Sequence, residues 1–431
     1  MSEPGGLLRA LRRRDLIGLM LNGVIGAGML AAPAKVFALA DGWSFVVLAC
    51  AALMITPLIL CFADLGSRFT GTGGPYLYAR AALPGWMAFA VGWMIWISMA
   101  LAVATLCNLL VSYVAGFVPV LGSGLPRVGL IAVLGIILTT IVLAGIRQSA
   151  AGNNMLVIAK VAFVLGFVIA GIGFIQADHL VITTQPPTGI TFFQAILIYL
   201  FAYSGFERAG VLAGETRDPR RDVPAAMFAS VALATTAYAA VLLVCMGVLT
   251  DPAATDRPLA EVGRELFGPV GQLAVSAGAI AVILGTLLSV IIGMPRLLLA
   301  LAEQGQLPAA LGAVHSRWRT PHVAIILSSL LAFGAAIFSD LLGSLTISTA
   351  ARMIAYILCC VALWRLSRKT DAPRAQFNLP GRRVISLATA AIFALVLVIA
   401  ATSELPMLAA VLALGYATLA LTRLTASRRA P

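Results

Sequence analysis

Three closely spaced glycines interrupt the first apolar run of the chain, where they could expose backbone groups to a ligand. The segment from about Asp15 to Ala40 contains the run Gly23-Val24-Ile25-Gly26-Ala27-Gly28. Each glycine weakens a helix by roughly 1 kcal/mol relative to alanine. Backbone that leaves a helix inside a bilayer has to face protein or a water-filled cavity. The run therefore predicts a broken helix, with free amides at Ala27 and Gly28 that suit a carboxylate.

A second interruption occurs about 180 residues later. It is the stretch Phe201-Ala202-Tyr203-Ser204-Gly205-Phe206-Glu207, inside another apolar run. Such a break exposes carbonyl groups, here near Phe201 and Ser204, and carbonyls suit an ammonium group. Paired broken helices in corresponding positions of two halves are typical of the binding site of a secondary transporter. The alternative is that these glycines only allow close helix packing.

Lys160 is a candidate for proton chemistry. The chain has 29 lysines and arginines, and only Lys35, Lys160 and Lys369 are lysines. A lysine about seven residues into a predicted span, in a sequence that otherwise uses arginine, indicates a titratable amine within the membrane. The alternative is a side chain that reaches back to the interface.

Glu207 is the only carboxylate that the sequence places near the middle of the membrane. It is either a proton-sensing or gating acid, or a static partner of Arg352 or Arg208. Tyr203, in the same break, is grouped with Lys160 and Glu207 as a candidate for proton coupling or gating. Each intramembrane arginine costs ~3 kcal/mol to insert and needs a partner or a water-filled cavity.

The elements that carry these residues are apolar helices. Apolar residues make up 61% of the chain and charged residues 11%, against about 25% charged in soluble domains. The sequence predicts an all-α polytopic protein of a lipid bilayer, with about 12 transmembrane helices. The predicted spans are 15–40, 43–66, 84–115, 127–145, 153–176, 190–213, 223–249, 268–300, 322–338, 341–364, 383–402 and 405–424.

The distribution of charge explains the net charge of +12 without a nucleic-acid partner. With both termini in the cytoplasm, only Lys35, Arg127, Arg257 and Arg264 of the basic residues fall in external segments, as the positive-inside rule requires. We therefore expect the cytoplasmic (inner) membrane. The six cysteines and three histidines lack metal-ligand spacing, so no metal or cofactor is expected.

The spans and breaks together predict a five-plus-five inverted repeat with broken helices one and six, followed by two further helices. The predicted segments are the cytoplasmic N-terminus (1–14), the first five-helix repeat (15–176), an external connection (177–189), the second repeat (190–364), a cytoplasmic loop (365–382), helices eleven and twelve (383–424) and a cytoplasmic tail (425–431).

Three motifs in order resemble those of the amino acid–polyamine–organocation permeases. They are the glycine run of span one, the second break with Gly214-Glu215-Thr216-Arg217-Asp218-Pro219 after it, and the link from Arg296 to Pro308. The resemblance covers nearly the whole chain. It implies the fold of the bacterial leucine transporter with two extra helices, and an amino acid as the small-molecule substrate.

The resemblance also implies roles for individual residues. The amides of Ala27 and Gly28 would hold the substrate carboxylate, and the carbonyls of Val24, Phe201 and Ser204 would hold its amino group. Phe201 would act as an aromatic gate. The full predicted substrate site is Val24, Gly26, Ala27, Gly28, Phe201, Ala202 and Ser204. Lys160 falls where proton-coupled members carry a lysine in place of a sodium ion.

The substrate expectation comes from two positions of the pocket. Where arginine/agmatine antiporters have a span-three asparagine and a span-eight tryptophan, this chain has Met99 and Val290, so a cation–π partner is missing. Ala27 stands where many members have serine or threonine. We therefore expect proton-coupled uptake of a neutral amino acid. Amino acid or amine exchange and export on the same fold stay open, whereas the spans carry no motif of an enzyme.

Overall fold

The computed structural model describes residues 11–71, 73–144, 150–315 and 320–427. The predicted N-terminal segment 1–14 lies outside this part of the chain except for residues 11–14, and the predicted tail lies outside it beyond residue 427. Within the described residues the secondary structure is helical, and the one β-bridge pairs Leu11 with Thr216. The prediction of an all-α protein is confirmed.

Sixteen α-helices make up the described chain. The first half contains α1 (Arg13–Val24), α2 (Ala27–Ala40), α3 (Ser44–Arg68), α4 (Pro75–Ala82), α5 (Gly85–Ala115), α6 (Gly124–Leu143) and α7 (Ala150–Ile172). The second half contains α8 (Gly189–Ala202), α9 (Arg208–Val211), α10 (Pro219–Val248), α11 (Pro258–Gly293), α12 (Pro295–Glu303), α13 (His322–Phe338), α14 (Leu341–Leu366), α15 (Arg382–Ala400) and α16 (Leu405–Ser427).

The helices have the length and composition of membrane spans. Eight segments of the described chain are long and apolar enough to cross a bilayer, and the first of them, Arg13–Arg68, contains two of the predicted spans. Three shorter apolar helices correspond to predicted spans five, six and nine: Val157–Ile172, Gly189–Ala202 and His322–Phe338. The chain is therefore a polytopic membrane protein.

The core of the bundle forms around α5, whose most apolar stretch is 94% buried inside the protein. Helices α11, α13 and α14 pack along it. The two halves of predicted span one lie against the second break, since α2 packs on α8 while α1 packs on α9 and α10. This packing brings together two interruptions that are far apart in sequence.

Predicted span eight differs from the structure at both ends. The sequence predicted one helix over 268–300, whereas α11 begins at Pro258 and has non-helical backbone at Phe267 and Gly268, with φ +61° at the glycine. Near its other end the helix stops at Gly293, and α12 begins at Pro295. Proline lacks an amide proton and clashes with the preceding turn, so it starts a new helix. Hydropathy placed the start of the span at the kink, but it could not show the helix before the kink or the interruption after Gly293.

Candidate functional site

The first break is a short one. α1 ends at Val24, and α2 begins at Ala27, with Ile25 and Gly26 non-helical between them. At the start of α2 the amides of Ala27 and Gly28 have no acceptor within their own helix and form the positive end of its dipole. Other helices pack closely against the glycines of this break. A Cβ on Gly28 would overlap Ala202, and one on Gly26 would come within 2.9 Å of Thr286. The glycines therefore serve close packing as well as helix interruption.

The second break separates α8 from α9. Gly205 adopts φ +117°, which L-residues rarely adopt, and the chain turns there. The Phe201 carbonyl accepts the Ser204 amide at 3.0 Å. The Phe201 carbonyl, expected to face a ligand, thus already has one partner, although a carbonyl oxygen can accept a second hydrogen bond.

Tyr238 links the two breaks. Its hydroxyl lies 2.8 Å from the carbonyl of Val24 and 2.7 Å from that of Ala202, and can donate its proton to either. The hydroxyl of Tyr203 pairs with Thr235 at 2.9 Å, and its ring contacts that of Tyr238. Sequence reasoning did not identify Tyr238, because nothing in span seven indicates which residue meets both breaks.

Lys160 is 4% exposed and reaches the first break. Its ammonium donates to the carbonyls of Asn22 (3.0 Å) and Ile25 (3.1 Å), and to the hydroxyl of Thr286 (2.6 Å). All three N–H groups of the ammonium therefore have acceptors. Thr286 Oγ1 also lies 2.9 Å from the Val282 carbonyl. Lys160 connects spans one, five and eight at one point. Thr286 was missed by the sequence reasoning, although it is a polar residue in an apolar run.

Glu207 forms a buried ion pair with Arg352, at 2.5 Å between Oε1 and Nη1. Its other oxygen accepts the hydroxyl of Tyr356 at 3.0 Å and the amide of Gly205 at 2.9 Å. Arg352 Nε donates to Ser98 Oγ at 2.8 Å. Of the interpretations that the sequence left open for Glu207, this geometry matches the static partner of Arg352. The network fixes the second break against predicted spans three and ten.

One small cavity lies between the two breaks. All seven residues of the predicted substrate site line it. They are Val24, Gly26, Ala27, Gly28, Phe201, Ala202 and Ser204. The rest of its wall consists of Gly23, Ala102, Leu106, Arg208, Thr286 and Val290. No acidic residue is among these described wall residues, and Phe201 is their one aromatic ring.

The candidates for proton coupling and gating lie around this cavity rather than in its wall. Lys160 contacts it through Thr286, Glu207 is paired with Arg352, and Tyr203 packs on Tyr238. Among the residues that the structure describes, no group of three His, Cys, Asp or Glu side chains could hold a metal ion.

A polytopic helical bundle with two helices broken beside one cavity is typical of a membrane transporter. The family model described as "Amino acid permease" matches residues 11–419. The chain belongs to the amino acid permease family, so it is a transporter and not an enzyme. The resemblance to amino acid–polyamine–organocation permeases is confirmed.

Known transporters match most of the chain. The methylthioribose transporter of Bacillus subtilis is 27% identical over 415 residues, which cover 91% of this chain and 88% of the relative. The branched-chain amino acid permease BcaP of the same bacterium is 29% identical, over 89% of this chain and 86% of its own. Its serine/threonine exchanger SteT is 26% identical, over 88% of each chain.

Proposed function

We propose that this permease takes up a neutral amino acid together with a proton, by alternating access around the cavity between the two breaks. The observation that carries the proposal is the position of Lys160, whose ammonium holds two carbonyls of the first break. If the amine releases its proton, it keeps only two N–H groups for three acceptors. Protonation of Lys160 then changes how firmly the first break is held beside the cavity.

The substrate would lie across the two breaks. We propose that its carboxylate binds the amides of Ala27 and Gly28, while its amino group binds carbonyls of Val24, Phe201 and Ser204. Gly26 and Ala202 shape the wall, and Phe201 closes it.

The rest of the wall supports a neutral side chain. Ala102, Leu106 and Val290 present apolar surface, Arg208 is the charged residue of the described wall, and no described acidic side chain lines the cavity to receive a cation. The relative BcaP is named a branched-chain amino acid permease, which is in line with an apolar substrate. Arginine/agmatine-like exchange is less well supported, because the wall lacks both an acid and a second aromatic ring.

Amino acid exchange is the second candidate. The relative SteT is named a serine/threonine exchanger, and a lysine that keeps its proton would serve as a fixed charge there. Export on the same fold differs only in the direction of the gradients.

We further propose that blocks 15–176 and 190–364 are inverted repeats. Positive-inside charge supports cytoplasmic termini and an inner-membrane location. We infer that Glu207 and Tyr203 position the second break.

The test is transport in liposomes that contain the purified protein. Labelled leucine, alanine and serine are added under an inward proton gradient, to empty vesicles and to vesicles loaded with the same amino acid. Proton-coupled uptake predicts accumulation in empty vesicles that ends when the gradient is collapsed. Uptake that requires internal amino acid, with no effect of the proton gradient, would contradict coupling and support exchange.

A further inference from the structure

Arg208 lies in the wall of the cavity, and part of its guanidinium has no hydrogen-bond partner among the described residues. It is the first residue of α9, directly after the second break, and its side chain lies against α1. A Cβ on Gly23 would come within 2.7 Å of its Nη1 atom. Its Nε and Nη1 atoms are buried and have no hydrogen-bond partner among the described residues. Arg208 thus lines the cavity while two of its nitrogens have no hydrogen-bond partner among the described residues.

Glu207 is close enough to attract Arg208 electrostatically, but its oxygens are held by other groups. Both oxygens of Glu207 are engaged by Arg352, Tyr356 and the Gly205 amide. Lys160 adds a second positive charge beside the same turn of α1, since it bonds the carbonyl of Asn22, next to Gly23. A buried charge is costly unless it is paired and hydrogen-bonded. An anionic group entering the cavity would supply that partner.

We propose that Arg208 binds a carboxylate of the substrate inside the cavity. This rests on the proposed function and deepens it, because it makes Arg208 a specificity residue for carboxylates in addition to the amides of Ala27 and Gly28. Guanidinium and carboxylate match as a planar, two-hydrogen-bond pair. The carboxylate comes from one of two sources, the α-carboxylate of any amino acid or the side chain of an acidic one.

The experiment measures binding to the purified protein in detergent, without any gradient. The probes are L-leucine, L-alanine, L-aspartate and L-glutamate, and the readout is the ligand-dependent rise in unfolding temperature, titrated to give an affinity. We expect Arg208→Gln to weaken binding by about 10- to 100-fold, as the loss of one charge-assisted pair does. Arg220→Gln is the matched control, since Arg220 is exposed at the start of α10.

The four probes distinguish the sources of the carboxylate. If the α-carboxylate binds Arg208, Arg208→Gln weakens the binding of every probe that the parent binds. If a side-chain carboxylate binds there, Arg208→Gln weakens only the binding of aspartate and glutamate. The proposal is overturned if the Arg208→Gln protein binds every probe as tightly as the parent does. It is also overturned if the parent protein binds none of the four probes.

Two further variants separate ligand binding from a folding defect. Arg208→Lys keeps the charge but loses the planar pair, so we expect intermediate affinity. Gly23→Ala keeps Arg208 and displaces its guanidinium, because the new Cβ meets Nη1; weaker binding in this variant supports the proposal. Because no gradient is used, a protein that binds these probes but fails to accumulate them contradicts proton coupling and leaves the role of Arg208 standing.

Discussion

Replacing Lys160 by methionine removes the ammonium while keeping most of the side-chain volume. The carbonyls of Asn22 and Ile25 then lose a buried donor, although the Thr286 hydroxyl stays 3.4 Å from the Ile25 carbonyl. A hydrogen bond to a charged group contributes about 1.5–3 kcal/mol. The loss of the ammonium therefore costs at least about 1.5 kcal/mol. Even this lower value corresponds to about 10-fold, at 1.4 kcal/mol per factor of ten.

The assay is uptake into liposomes at acidic and at neutral external pH. We expect the Lys160→Met protein to lose at least that factor in gradient-driven uptake and to lose its dependence on pH. Lys369→Met is the matched control, since Lys369 is exposed and its ammonium donates to the Ala81 carbonyl at 3.3 Å, far from the first break. If the Lys160→Met protein keeps the parent's rate and pH profile, Lys160 is structural and the coupling argument is refuted.

Three further predictions concern the two breaks and the residues packed around them. Gly28→Val should abolish substrate binding because its side chain meets Ala202. Gly166→Val is the control and should bind as the parent does, since a Cβ there meets nothing within 4 Å. Equal binding by both variants would show that the first break is not part of the site. Tyr238→Phe should weaken binding by about 5- to 100-fold, since two carbonyls share its hydroxyl; an unchanged affinity in titration would contradict this. Glu207→Ala should lower stability by about 3–5 kcal/mol by leaving Arg352 buried and unpaired. The double variant Glu207→Ala/Arg352→Met should recover part of that stability, as measured by denaturation. If the stability losses of the two single variants add fully in the double variant, the pair is not coupled.

The sequence could predict the two breaks because their cause is local. Glycines at positions 23, 26 and 28 weaken the helix wherever the rest of the chain lies, and the structure interrupts span one at Ile25 and Gly26. Hydropathy likewise predicts the spans, since bilayer thickness fixes their length. The pairing of the breaks followed from their corresponding places in the two halves, and the structure brings them together around one cavity.

The partners across the bundle could not be predicted from the sequence. Tyr238 meets Val24 across 214 positions of the chain, and Thr286 meets Lys160 across 126. Such contacts depend on how helices pack, and apolar helix faces carry little information about their neighbours. The sequence left Glu207 with two possible arginines for the same reason. The approach of α14 to the second break brings Arg352 to Glu207, while Arg208 faces the cavity.

Proton movement itself tests the central claim most directly. Liposomes that contain the protein and an internal pH-sensitive dye are given external amino acid without an imposed gradient. Proton-coupled uptake through Lys160 predicts that the interior acidifies when the amino acid enters, and that the Lys160→Met protein gives no such signal. Amino acid entry at the parent's rate without internal acidification would contradict the account and leave exchange as the function of this permease.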